Sequence, residues 1–283
     1  MSEALELPFF WTALVASLVL AGIHAYLGFH VVRRGVLFVD LALAQMASLG
    51  VALSLVISSH EDERLTYVLA LGMTFVGATV FAWLRGQERR NVPLEAFIGI
   101  VFATAQAAVF LVLEKSPSGP EHLKEALVGS LFTLDPRHVL NTAILYAVIG
   151  FIHFLLRRPF FEITNDPEGA QRRGRKLFWW DLAFYAMFGF VVTSSVQIAG
   201  VLLVFGFLVI PAVAGLMASQ RTGPALAIGW AFGFAGSFVG LLGSIAYDMP
   251  AAPSILVSLT GLLIVLGGGL TLAQAMRRPR TES

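Results

Sequence analysis

Two polar side chains interrupt an otherwise apolar stretch, FVDLALAQMASLGVAL, running from Phe38 to Leu53: the carboxylate of Asp40 and the amide of Gln45. Both offer oxygen donors to a cation. A carboxylate at membrane depth is costly and marks a functional position by default. The neutral amide of Gln45 is a poorer zinc ligand than imidazole. It suits a harder or more hydrated cation, or a substrate that is not a bare ion. Residues five apart on a straight helix are separated by about 140°. Asp40 and Gln45 would therefore face one point only across a kink, or where two copies of the chain meet. Blander readings stand beside these. Asp40 lies near the end of its run and could pair with Arg33 or Arg34, Gln45 could make a helix–helix hydrogen bond, and Met46 could simply fill space.

Other candidate groups are scattered. His24 and His153 fall inside apolar runs, where lone histidines are more often packing or hydrogen-bonding residues than ligands. His30 is near the end of the first run, and His60, His122 and His138 lie in connecting segments. SHEDER, at Ser59–Arg64, reads as a cation-attracting mouth or as an acidic loop. Asp181 is expected to pair with the nearby Arg175 or Lys176, and Asp248 to be structural.

The elements that must position these groups are membrane helices. Hydrophobic residues make up 57% of the 283, charged residues 13%, and mean hydropathy is +0.78. A soluble domain could not cover that much apolar surface. The fold class is an all-α integral membrane protein, residues 1–283 forming a single transmembrane domain. There are no cysteines, which excludes disulfides and thiolate metal sites. The start, MSEALELPFF, is acidic rather than basic, so the first run is expected to remain as a span. Nine apolar runs are long enough to cross a bilayer: Pro8–Val32, Val36–Ser58, Leu65–Leu84, Pro93–Leu113, Val139–Leu156, Leu177–Val196, Ile198–Ala218, Pro224–Tyr247 and Ile255–Met276. Only Ser194–Gln197 separates the sixth from the seventh, which could be re-entrant or broken.

Basic residues set the polarity. With the N-terminus outside, the outer segments hold only Arg64, Lys115, Lys124 and Arg137, and all other Arg and Lys fall inside. Two loops are long. Residues 114–138 are external, with a short helical pattern from Glu121 that could lie across the outer mouth. Residues 163–176 belong to the internal stretch RRPFFEITNDPEGAQRRGRKLFWW. There Asp166, Pro167 and Glu168 make a helix start and Gly174 a stop. The turn reads either as a grip for a motor protein or as a basic loop that only fixes topology.

Several of these stretches resemble the ABC-3 family of permeases, the membrane subunits of bacterial zinc, manganese and iron importers. Ala199-Gly200-Val201-Leu202-Leu203, Leu208-Val209-Ile210-Pro211-Ala212, Gly240, Ser244 and Asp248-Met249-Pro250 carry the resemblance near the C-terminus. Upstream, GFHVVRRGVLFVDLALAQMASLGVAL, LEAFIGIVFA, EALVGSLFTLDPRHV and NDPEGAQRRG extend it in order along nearly the whole chain. The resemblance implies two paired permease copies, a separate ATPase subunit below and an extracytoplasmic substrate-binding protein above, in a bacterial cytoplasmic membrane. It implies no covalent chemistry in this chain, hence no enzyme. ATP would be bound by the partner, since no phosphate-binding loop motif is present here. Nucleic acid is not expected among the partners; membrane lipid is. The turn comprising Asp166, Pro167, Glu168, Ala170 and Gly174 becomes the expected coupling segment.

In the family the second helix carries Gly-Asp-x-x-x-His. An ungapped match puts Asp40 in the Gly column, Leu41 in the Asp column and Gln45 in the His column. Asp40 and Gln45 remain the expected pathway and metal residues, without the family's Asp/His pair. The alternatives are an ABC permease for a chelated or non-metal substrate, and a self-contained secondary transporter, which would need internal symmetry and midplane charges.

Overall fold

A computed structural model describes residues 7–58, 62–86, 92–114, 129 and 131–277. Among them the chain is helical, with eight helices long and apolar enough to cross a membrane. In chain order these are α1 (Pro8–Arg34), α2 (Val39–Ile57), α3 (Glu63–Gly86), α4 (Leu94–Leu113), α5 (Pro136–Leu155), α8 (Leu177–Ala218), α9 (Thr222–Ala246) and α10 (Ala251–Arg277). Two short helices, α6 (Arg157–Asn165) and α7 (Pro167–Arg172), join α5 to α8.

The ends of these helices follow from local sequence. Pro8 opens α1, where its missing N–H costs nothing. Gly35 closes it at φ 67°, and Val36 N–H reaches back to Val31 O (3.2 Å). Asp135 caps α5 by accepting from Arg137 N (2.8 Å). A 3₁₀ turn at Leu131–Thr133 precedes it, and Phe132 packs edge-on against Phe9 of α1. The helical pattern expected from Glu121, together with His122 and the first half of SHEDER including His60, lies outside the described residues.

The sixth and seventh apolar runs are not two helices with a linker at Ser194–Gln197. Those four residues are helical, and the break comes later, at Gly200 (φ 72°, ψ 159°). A straight helix of 42 residues would measure about 63 Å, twice the hydrocarbon thickness. Instead α8 doubles back. Adjacent arginines at the end of α1 reach both of its ends: Arg34 bonds Asp181, and Arg33 bonds the carbonyl of Gln220 just past it (2.9 and 3.1 Å). The bend at Gly200 is covered by Gly129, so close that a Cβ on Gly129 would meet the Ala199 and Gly200 backbone. α8 is thus a hairpin of two arms, each about a bilayer long. The arms form the centre of the bundle: α8 packs against α1, α2, α3, α9 and α10. The core is aromatic and aliphatic, with Phe184, Tyr185, Phe188 and Phe207 of α8 fully buried.

Candidate functional site

Asp40 is the second residue of α2 and Gln45 sits one and a half turns on. The helix has no internal break, so the two point in different directions and no kink brings them together. Both are enclosed within the single chain, Asp40 fully and Gln45 to 5% exposure. α2 is clamped by α3 through close glycine contacts. Gly50 sits on the Leu69–Ala70 backbone, and Gly77 faces Leu43 and Met46. α4 and α8 cover the remaining sides. Neither Asp40 oxygen has a hydrogen-bond partner among the described residues. The pairing of Asp40 with Arg33 or Arg34 does not occur, because both arginines are engaged elsewhere. A buried carboxylate without a partner is a stability liability.

The second polar cluster lies where α1, α3, α6 and α8 meet. Asp181 does not pair with Arg175 or Lys176. Its Oδ1 accepts from Arg34 Nη1 (2.9 Å) and Arg85 Nη1 (3.0 Å), and the side chains are 0%, 10% and 1% exposed for Arg34, Arg85 and Asp181. Arg34 Nε donates to Thr164 Oγ1 (2.9 Å), which also meets His30 Nδ1 (2.8 Å). Arg33 donates to Asn165 Oδ1 (3.0 Å). The histidines are held in packing: His24 Nδ1 donates to Leu20 O (2.7 Å), and His153 stacks on Phe160 with Nδ1 3.4 Å from the Tyr26 hydroxyl. Among the described residues no three His, Asp or Glu side chains gather as a metal site would require. Sequence reasoning missed the Arg34–Asp181–Arg85 cluster because it looked for partners nearby in the chain. The topology contained the signal, since all three fall at the basic end of their runs.

The capped turn expected from Asp166 to Gly174 forms. Asp166 caps α7 by accepting from Gly169 N (2.9 Å), and a side chain at Gly169 would collide with that carboxylate. Gly174, at φ 84°, ends the turn, and Arg175 N–H closes onto Ala170 O (3.0 Å). Glu162 of α6 accepts from both Arg173 and Arg175, fastening α7 to α6. Ala170 is fully buried against the chain itself. The surface that α7 offers outward consists of Glu168, Gln171 and Arg172.

The described residues thus form a helical bundle whose long apolar helices are those of a polytopic membrane protein. The chain belongs to the ABC 3 transport family, whose model matches residues 6–267. A probable iron transport system membrane protein of Haemophilus influenzae is 23% identical, over 93% of this chain and 94% of that one. The high-affinity zinc uptake system membrane protein ZnuB of the same organism is 25% identical, over 89% and 94%. The manganese transport system membrane protein MntC of Listeria monocytogenes is 19% identical, over 92% and 90%. In three dimensions the chain resembles PsaBC from Streptococcus pneumoniae, solved in complex with a Fab, with TM-score 0.78 at 17% identity over 94% of this chain and 93% of that one. At that identity the likeness concerns the fold alone.

The residues that carried the resemblance are structural in large part. Gly200 makes the α8 bend. Gly229 packs on Pro211 O, Gly240 on the Ile255 backbone, and Ser244 Oγ donates to Met249 O in the α9–α10 turn.

Proposed function

We propose that this chain is the permease subunit of an ABC importer for a divalent transition metal: zinc, manganese or iron. The observation that carries the reading is the family match across residues 6–267, supported by relatives named for iron, zinc and manganese transport. The N-terminus is outside, the basic end of the bundle faces the cytoplasm, and the membrane is the bacterial cytoplasmic one. Two copies pair. A separate ATPase docks on the exposed face of α7, and an extracytoplasmic binding protein delivers substrate to the opposite side. Transport is alternating access. Asp40 and Gln45 are enclosed in this arrangement, so substrate meets them only when α2 parts from α3, α4 or α8. An uncompensated carboxylate then attracts the cation, and an amide oxygen contacts it without holding it tightly.

The test is uptake. The permease, co-purified with its ATPase and binding protein and placed in vesicles, should accumulate manganese, zinc or iron only when ATP is supplied to the motor side. Accumulation of none of the three rejects the metal reading. A second reading, import of a chelated or non-metal substrate, is favoured by one observation: Leu41 and Gln45 stand in the columns where the family carries Asp and His. ATP-dependent uptake of metal chelates, with no uptake of free ions, selects it.

A further inference from the structure

The cluster at the end of α1 supports an inference that rests on the docking role proposed for α7 and extends it. A guanidinium is a rigid planar fork whose edges address different partners, which an ammonium cannot do. Arg34 addresses two helices through Nε, Nη1 and its face, while Nη2 is buried without a hydrogen-bond partner among the described residues. One edge, Nε, donates to Thr164 Oγ1 of α6 (2.9 Å). The other, Nη1, donates to Asp181 Oδ1 of α8 (2.9 Å). Its face lies 4.1 Å from the ring centroid of Phe184, also on α8. One side chain of α1 therefore holds the coupling segment and the central hairpin at once. Arg Nε–H can only donate, so the Thr164 oxygen accepts, and the same hydroxyl lies in hydrogen-bond contact with His30 Nδ1 at 2.8 Å. His30 and Arg34 are one turn apart, so α1 grips Thr164 from two successive turns. The neighbouring pair repeats the pattern: Arg33 joins Asn165 of α6 to Gln220 at the far end of α8. Thr164 and Asn165 immediately precede Asp166, the cap of α7. Arg85 brings α3 onto the same Asp181 oxygen.

We infer that Arg34, anchored on Thr164 and Asp181, is the joint through which displacement of α7 reaches α1 and α8. A buried charge cannot trade its partners for water, so the joint either moves as a unit or breaks outright. That behaviour is what turns a push on a short surface helix into a shift of spans. Arg34 is a positioning residue in this role, since it touches no substrate.

The experiment is hydrogen–deuterium exchange on the permease–ATPase complex, with and without a non-hydrolysable ATP analogue. In the wild type, exchange should change at 166–174 and also at 31–38 and 177–181. In Thr164→Val, which keeps the shape and loses the hydroxyl, the change at 166–174 should persist while that at 31–38 and 177–181 is lost. Thr164→Ser should restore it. Arg34→Lys, which keeps the charge and loses the fork, should behave as Thr164→Val does and serves if the latter folds poorly. Full propagation in both Thr164→Val and Arg34→Lys overturns the joint while leaving docking at α7 intact. No response at 166–174 in the wild type overturns docking there, and the joint with it.

Discussion

Gly28 of α1 lies against the carbonyl oxygen of Leu208 in the second arm of α8, so close that a Cβ at position 28 would overlap it. This contact lets α1 run flush along the hairpin, in the way small residues bring membrane helices together. Gly28→Ala should destabilise by about 1–3 kcal/mol, the usual scale of overpacking. Gly22, six residues earlier on the same helix, has open space where a Cβ would go. Gly22→Ala should be neutral or slightly stabilising, by up to about 1 kcal/mol. Thermal unfolding of both variants in detergent checks the contrast; equal melting temperatures would mean that the α1–α8 approach is not close.

Gly200 occupies a backbone region essentially closed to other residues, φ 72° with ψ 159°. Gly200→Ala should cost about 1–3 kcal/mol and lower the yield of monodisperse protein. A cysteine pair placed near the two ends of α8, at 179 and 217, is clean to label because the chain has no cysteine of its own. Spin-label distances between them should be far shorter than the roughly 57 Å of a straight helix of that span. A distance near that length would disprove the hairpin.

Acid should loosen α7. The Gly169 N–H at its carboxylate, aided by Arg173, holds Asp166 below the usual carboxylate range. The hydrogen bond from Arg173, with Arg175, does the same for Glu162. A depressed folded value means that the stabilisation is fully present above the ordinary carboxylate pKa and is lost as pH falls through the lowered one. Amide exchange at 167–174, corrected for its intrinsic pH dependence, should therefore rise below the ordinary carboxylate range and stay flat near neutrality. Asp166→Asn should flatten the part of that rise due to the cap.

Gln45→Leu should leave folding and complex assembly unchanged, because it replaces a buried side chain with an apolar one of similar volume. Uptake should fall all the same. Gln45→His should bind zinc or manganese more tightly and release it more slowly, since imidazole is the better ligand. Asp40→Asn neutralises a buried carboxyl group that has no partner among the described residues. It should melt at or above the wild-type temperature while transporting less. Normal uptake in Gln45→Leu and Asp40→Asn together would reduce both to packing positions.

The sequence by itself determined the environment and the elements. Long apolar runs admit one solution in a bilayer, helices that satisfy their own backbone, so the spans could be read from composition alone. Local chemistry was equally legible: Asp166-Pro167 announced α7 and Gly174 its end, because caps depend on residues within a turn of one another. The tertiary structure alone decided what distance in the chain conceals. It moved the α8 break from Ser194–Gln197 to Gly200, since a serine pair tolerates helix and only the glycine reaches the required φ. It took Asp181 from its sequence neighbours and gave it to Arg34 and Arg85, from helices 147 and 96 residues away. It enclosed Ala170, which a helix pattern of six residues cannot assign to a face. It also enclosed Asp40 and Gln45 inside the protomer, the Asp40 carboxylate without a partner among the described residues. Which helices pack on α2 is set by glycine contacts such as Gly50 on Leu69–Ala70, and no local pattern encodes that choice.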